Sequence, residues 1–181
     1  MRMKTTIKVK GKILFDPPDK TNKHRNQSTW KKVAYLDIKG DICEYYSWFM
    51  KKRFNLPLAR PLRRAHITFI NDSLRDMGEK AKDWDKLKKK WNGKVIEVEL
   101  HLEPKTDDTA WWLTVVEESR KPLHDIRAEV GLGRPYWGLH MTIGNAHISY
   151  DDTFEFGAEK VARDNIAHSK YIHGLAKKGL L

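Results

Sequence analysis

Apolar and polar positions alternate along the chain in a pattern that predicts one series of elements twice. WKKVAYLDI has strand character, and in the following ICEYYSWFMKKRF the apolar side chains recur at helical spacing. LPLARP ends this helix, because the residue before a proline favours extended backbone. AHITFIND then alternates as a strand does. The pattern therefore predicts a strand, a helix, an Arg-Pro loop and a second strand between about residues 31 and 72.

The same order of elements returns between about residues 110 and 147. WWLTVVE has strand character, SRKPLHDIRAEV predicts a helix that ends at Gly131, and LHMTIGNAHI predicts a strand after the loop GRPYWG. Four residues of the first series have an identical residue at one constant offset in the second. The pairs are Arg60 and Arg134, Pro61 and Pro135, His66 and His140, and Thr68 and Thr142. Self-similarity at matched positions predicts an internal duplication.

The segments outside this repeat are predicted from the same pattern. TTIKVKGKILF predicts one or two short strands with a turn at Gly11, DPPDKTNKHRNQST an exposed basic loop, and residues 74–91 an amphipathic helix that links the halves. KVIEVELHLE predicts one further strand. We expect one α+β domain over residues 1–181, with N-terminal strands and basic loop (1–30), two lobes (31–93 and 94–148) and a basic C-terminal tail (149–181).

Charge and composition narrow the class of partner. Lys and Arg number 35 against 24 Asp and Glu, a formal net charge of +11. Such a charge favours RNA, nucleotides or an anionic surface, although surface lysines also serve solubility alone. No stretch has the apolar length of a membrane span and no signal peptide is recognisable, so we expect a cytoplasmic protein with no membrane partner. Cys43 is the single cysteine, which excludes an intramolecular disulfide.

The repeated His-x-Thr phrase carries the candidate chemistry. Residues two apart on a strand share a face, so His66 lies with Thr68, and His140 with Thr142. One neutral imidazole can take a proton from an attacking hydroxyl while the other, protonated, gives one to a leaving oxygen. The threonine hydroxyls can donate hydrogen bonds to phosphoryl oxygens. The scheme needs no metal, and neither metal-ligand spacing nor a glycine-rich nucleotide motif predicts a cofactor.

HITF and HMTI resemble the paired His-x-Thr/Ser signatures of the 2H phosphoesterase superfamily. The resemblance covers about residues 31–147 and implies a bilobal α+β fold, with two pseudo-symmetric antiparallel sheets around a central cleft and helices outside. It also implies metal-independent cleavage of 2′,3′-cyclic, 2′-5′ or related nucleotide phosphodiesters, with His66, Thr68, His140 and Thr142 as the catalytic set.

Three longer phrases, HITFINDS, GRPYWGLHMTIG and HSKYIHGLAKKG, are similar to phage anti-CBASS phosphodiesterases. This resemblance implies hydrolysis of the 3′-5′ bonds of cyclic di- or trinucleotides in the cytoplasm of an infected bacterium. One alternative is an enzyme that acts on RNA ends, as a 2′,3′-cyclic phosphodiesterase or a 2′-5′ RNA processing enzyme. Another is a basic protein that sequesters nucleotides or RNA without turnover. The sequence leaves open which histidine is the acid.

Five residues near the motifs are candidates to bind substrate: Trp30, Tyr136, Trp137, Arg60 and Arg134. The aromatic residues can stack on bases, with core packing as the alternative. The arginines can bind phosphate or fix the loops that contain them. Trp111 and Trp112 are consecutive on a strand and must face opposite ways, so only one of them is expected in the core.

Overall fold

The computed structural model describes residues 5–17, 32–61, 64–72, 83–107, 110–136 and 138–146, which form both strands and helices. The strands are β1 (Thr6–Phe15), β2 (Ala34–Ile38), β3 (Leu58–Ala59), β4 (His66–Ile70), β5 (Val95–His101), β6 (Lys105–Thr106), β7 (Ala110–Thr114) and β8 (His140–Ala146). The helices are α1 (Ile42–Phe54), α2 (Trp84–Trp91) and α3 (Lys121–Glu129). This content confirms the α+β class.

Several predicted segments lie partly or wholly outside the described residues. These are most of the basic loop, the first part of the linking helix, and the C-terminal tail. The described end of the linking helix is α2. Among the helices that the structure describes, none is long and apolar enough to cross a membrane.

The described strands form one antiparallel sheet in the order β5-β1-β2-β4-β8-β7-β6, and β3 pairs with β8 beside this path. The predicted order of strand, helix, loop and strand is present in both halves, as β2-α1-β4 and β7-α3-β8. Where the sequence predicts two sheets, the described strands are continuous, because β4 pairs with β8 at Ile67 and Met141. The two halves of the repeat therefore meet at the strands that carry the two motifs.

The sheet curls until strands near its opposite ends touch. Leu100, on β5, forms an antiparallel bridge with Val115, just after β7. The backbone N–H of Val116 donates to the carbonyl of Glu99 at 2.8 Å. These bonds link the first strand of the sheet order to a strand near its other end.

One face of the sheet is apolar and the other is polar, as alternation predicts. Along β2, β4 and β7, every second side chain is buried. The buried side chains of the sheet join those of the three helices, such as Met50, Trp84 and Ile126, in one core cluster. The helices therefore cover the apolar face. The partly buried, mostly polar residues of the strands lie on the opposite face.

Gly11 lies within one continuous strand, so the prediction of a turn there is wrong. It pairs with Ile38 on one side and Ile96 on the other. A Cβ atom at this position would overlap the side chain of Leu36, on β2. Glycine is needed because a neighbouring side chain crosses over the strand, and a local sequence pattern does not show such a contact.

Asp16, just after β1, joins this strand to α2 and to Lys32, which lies shortly before β2. Its carboxylate accepts hydrogen bonds from Nε1 of Trp84 at 3.0 Å, from Nζ of Lys88 at 2.9 Å and from the backbone N–H of Lys32 at 2.7 Å. Burial by itself raises the pKa of Asp16, but these hydrogen bonds together outweigh it, so the pKa lies below its ordinary value. The ionised carboxylate therefore stabilises the fold.

Arg127 is the buried charge of the described core, with 1 % of its surface exposed. Its guanidinium donates to both carboxylate oxygens of Asp72, at 2.8 and 3.0 Å, and to the carbonyl of Phe69 at 2.6 Å. Its Nε donates to the carbonyl of Gly133 at 2.6 Å. One side chain of α3 therefore ties the end of β4 to the loop that precedes β8.

Gly144 allows β3 to approach β8 closely. A Cβ atom at this position would be 2.8 Å from Cβ of Leu58 and 3.0 Å from the carbonyl oxygen of Ala59. Both contacts involve atoms close to the backbone, which cannot move aside cheaply. The pairing of these two strands therefore depends on glycine.

Cys43 packs α1 of the first half against β8 of the second. Its thiol donates to the carbonyl of Thr142, with an Sγ–O distance of 3.6 Å. Burial, with a contribution from the nearby Glu44 charge, raises the pKa of the thiol to about 11. The side chain is therefore a neutral core residue that contacts the backbone of a motif strand.

Candidate active site

The four motif residues share the polar face of the sheet. On β4, Ile67 is fully buried, whereas His66 and Thr68 on either side of it are half-buried. On β8, Met141 is fully buried between the half-buried His140 and Thr142. The predicted orientation of both motifs is confirmed: in each strand the histidine and threonine point away from the core.

The pairing of β4 with β8 brings the two motifs together. Ile67 lies opposite Met141 in an antiparallel pair, and extension of this register by one residue in each direction sets His66 toward Thr142 and Thr68 toward His140. The two imidazoles are then diagonal neighbours, a relation in which residues lie about 7–8 Å apart. A group bound between them would have one ring on each side and a hydroxyl beside each ring.

Each imidazole is held by the same backbone contact. Nδ1 of His66 lies 2.7 Å from the carbonyl oxygen of Arg64, and Nδ1 of His140 lies 3.3 Å from that of Gly138. In both cases the carbonyl belongs to the residue two positions earlier. A carbonyl can only accept, so Nδ1 carries the hydrogen of this bond and the neutral ring leaves Nε2 as its acceptor nitrogen. The two halves thus repeat the ring environment as well as the sequence.

Each imidazole also packs against an aromatic ring of the adjoining strand. The rings of Tyr35 and His66 are 5.1 Å apart with a tilt of 58°. Those of Trp112 and His140 are 5.8 Å apart with a tilt of 57°. In the register, Tyr35 lies opposite Thr68 and Trp112 lies opposite Thr142, so the two arrangements correspond.

Sequence reasoning did not select Tyr35 or Trp112 for the site. Trp111 is buried and Trp112 is half-exposed, which confirms that only one of the two is in the core. The available signal for Tyr35 was the alternation in AYLDI, which turns it away from the apolar face. Which motif residue it meets depends on strand pairing, and the local pattern does not contain that information.

The two imidazoles differ in their partner on the second neighbouring strand, which is β2 for His66 and β7 for His140. Asp37, on β2, is paired with His66, and Lys12, on β1, is paired with Asp37. Thr114, on β7, is paired with His140. A carboxylate therefore neighbours the first histidine and a hydroxyl the second, so the repeat is not symmetric in charge.

Three of the five other predicted site residues lie in the part of the chain that the structure describes. Arg60 is exposed and lines a cleft beside the start of β4. Arg134 is exposed near α3: burial lowers the pKa of His124, and the charge of Arg134 lowers it further. Tyr136 is 91 % exposed, which excludes core packing for it. The other two predicted substrate-binding residues, Trp30 and Trp137, lie outside the described residues.

Among the residues that the structure describes, no group of three or more His, Cys, Asp or Glu side chains is arranged to hold a metal ion. Comparison of the chain with protein-family models, with curated proteins and with solved structures finds no match. Two imidazoles with the same tautomer, on either side of a space lined by hydroxyls, are suited to proton transfer to and from the oxygens of a phosphoryl group.

Proposed function

We propose that this protein is a metal-independent phosphodiesterase of the 2H type that hydrolyses 3′-5′ bonds of cyclic oligonucleotides. In this proposal, the halves of the sheet on either side of the β4–β8 pairing are the two lobes of the 2H fold. The observation that carries the proposal is the doubled ring environment, in which both Nδ1 atoms meet the carbonyl two positions earlier. Chance placement of two unrelated histidines gives no reason for this repetition.

In the proposed reaction, the Nε2 atoms of the two imidazoles transfer the protons, because each Nδ1 is held by a carbonyl. A neutral imidazole removes the proton of a ribose 2′-hydroxyl, whose oxygen attacks the adjacent phosphorus. The bond from phosphorus to the 5′-oxygen breaks, and the protonated imidazole gives its proton to that leaving oxygen. This first step gives a linear oligonucleotide with a 2′,3′-cyclic phosphate end. In a slower second step water attacks that phosphorus and the bond to the 2′-oxygen breaks, with the roles of the two imidazoles reversed, so the hydrolysis is completed and both rings return to their starting protonation states. Thr68 and Thr142 donate hydrogen bonds to the non-bridging oxygens as negative charge builds on them.

The proposed substrate agrees with the charge of the chain and the exposure of the site. The net charge of +11 attracts polyanions. The half-buried motif side chains and the exposed Tyr136 face outward, where a compact nucleotide ring can reach them. The phrases that resemble phage anti-CBASS enzymes favour cyclic oligonucleotides made in a bacterial defence response. RNA ends, the rival substrate, satisfy the charge equally well, so they are the comparison in the test.

The test is chromatography of the products after incubation in excess EDTA. A cyclic dinucleotide and a cyclic trinucleotide are incubated beside an RNA oligomer that ends in a 2′,3′-cyclic phosphate. We expect rapid opening of a cyclic oligonucleotide, with the RNA end unchanged or slower. Consumption of the RNA end alone would move the protein to RNA processing. Binding without a product from any of the three would support a sequestering protein.

Variants of the two histidines test the mechanism. His66→Ala and His140→Ala are each expected to reduce turnover by about a hundredfold or more, because each removes a general acid or base. His101, an exposed histidine on β5, provides the matched control, and His101→Ala should keep wild-type turnover. Circular dichroism and thermal unfolding should give wild-type values for all three variants. Near-normal rates in either motif variant would reject the paired mechanism.

A further inference from the structure

A cleft of about 540 Å³ opens beside the start of β4. This volume lies within the range of about 300–1,000 Å³ that is usual for small-molecule sites. Five charged side chains line it: Lys39, Arg60 and Arg64 are positive, and Asp37 and Glu44 are negative. The cleft therefore offers both cations and hydrogen-bond acceptors.

The cleft adjoins the polar face that carries the two motifs. Arg64, in its lining, precedes His66 by two positions, a reach of about 7 Å of chain at most. The carbonyl of Arg64 also holds the His66 ring. Asp37, another lining residue, is the strand partner of His66. A molecule bound at the two histidines can therefore extend into this cleft.

The two arginines of the cleft are not engaged by the rest of the described structure. Neither Arg60 nor Arg64 has a salt bridge or a side-chain hydrogen bond among the described residues, and both are exposed. In contrast, Arg120 and Arg127 both donate to backbone carbonyls. A guanidinium with all its donors available matches the oxygens of a phosphate.

The carboxylates of the cleft indicate a nucleotide as the occupant in preference to a bare anion. Asp37 and Glu44 repel a small anion but accept hydrogen bonds from ribose hydroxyls or base amino groups. A phosphate on the arginines with its sugar or base near the carboxylates would satisfy both kinds of group.

Resting on the proposed function, we infer that this cleft binds the second phosphate of the substrate, one nucleotide away from the bond that is cleaved. The two histidines then act on one phosphodiester while Arg60 and Arg64 hold the next. The consequence is selectivity: a substrate with two phosphates gains a contact that a substrate with a single phosphodiester lacks.

Kinetics with matched substrates test this selectivity. A cyclic dinucleotide has two phosphates, whereas a linear dinucleoside monophosphate has one. In the double variant Arg60→Gln/Arg64→Gln, KM for the cyclic dinucleotide should rise by about tenfold or more over any rise for the linear one, as expected for loss of a charge-assisted hydrogen bond. Equal changes in KM for both substrates, or no change for either, would overturn the inference. Arg53→Gln, an exposed arginine in the last turn of α1, controls for charge removal and should leave both KM values unchanged.

Calorimetric binding of adenosine 3′,5′-bisphosphate separates the cleft from the proposed reaction. This probe carries two phosphates and contains no phosphodiester bond to hydrolyse. If the wild-type protein cleaves neither substrate, binding that is lost in Arg60→Gln/Arg64→Gln and kept in Arg53→Gln would still support the cleft, although the proposed hydrolysis would fail. Equal affinity in all three proteins, at constant ionic strength, would overturn the cleft whatever the turnover.

Discussion

Replacement of Asp72 by asparagine should destabilise the protein far more than the same change at a surface aspartate. The substitution keeps the shape of the side chain but removes the charge that faces Arg127, whose side chain is 2 % exposed. The guanidinium then remains buried with neutral acceptors alone, namely the carbonyls of Phe69 and Gly133 and the amide oxygen of the new side chain. An uncompensated buried charge is among the most costly defects in a protein interior.

The magnitude follows from the burial of the two partners. Breaking a buried ion pair by removal of one partner costs about 3–5 kcal/mol. The side chain of Asp72 is 23 % exposed, so water reaches part of the defect, and the asparagine oxygen still accepts one hydrogen bond. We therefore expect a loss of about 2–3 kcal/mol in the free energy of unfolding. For a chain of this length, this corresponds to a fall of roughly 5–10 °C in Tm.

Urea and thermal unfolding measure the effect, with Asp125→Asn as the control. Asp125 lies on α3 and pairs with Lys121 at 2.6 Å, but both side chains are exposed. Loss of that pair should cost less than about 0.5 kcal/mol and should vanish at high salt. The cost at Asp72 should persist at high salt, because salt does not screen a buried pair. If Asp72→Asn matched Asp125→Asn within error, the assignment of Arg127 as a buried tie would be refuted.

Three further results are expected from features of the fold. Gly144→Ala should lower the free energy of unfolding by about 1–3 kcal/mol, because the new Cβ meets Leu58 and Ala59. Gly133→Ala, at a position with open space around it, is the control. Equal stability of the two variants would contradict the close approach of β3 to β8. Asp16→Asn should be less stable than wild type near neutral pH. The difference should shrink as the pH falls below 3.8, the ordinary pKa of the carboxyl in the unfolded chain, toward the lower pKa of the folded protein. Urea unfolding at several pH values measures this difference, and a difference independent of pH would refute the role of the charge. Cys43 should react slowly with iodoacetamide near pH 8 in the native protein, where only about a thousandth of the thiol is ionised, and mass spectrometry showing alkylation as fast as in urea would contradict its burial.

Local pattern was sufficient to predict the elements that carry the motifs. Alternation in AYLDI and AHITFIND predicted β2 and β4, and helical spacing predicted α1 between them. The same reasoning gave the orientation of both motifs, because a strand with an apolar core on one side leaves its other residues facing away. These features depend on residues close together in the chain, so the sequence reports them directly.

Features that depend on distant residues could not be predicted in this way. Pairings between distant residues, Ile67 with Met141 and Leu58 with Ala146, join the two halves in one sheet, and nothing near these residues in the chain encodes them. Gly11 suggested a turn because glycine is common in turns. Its actual cause, the nearby side chain of Leu36, lies on another strand. The aromatic partners of the imidazoles depend on register in the same way.

The meeting of β4 with β8 also gives a reason why one chain should contain its half twice. Two antiparallel strands are related by a local two-fold axis, so a symmetric dimer of one half, paired through a single motif strand, would already present two identical imidazoles to one ligand. Symmetry would oblige both imidazoles to have the same neighbours. Fusion into one polypeptide removes that obligation: Asp37 lies opposite one histidine and Thr114 opposite the other. In the proposed reaction, the joined chain can give the entering and leaving oxygens different surroundings, which a symmetric dimer could not do.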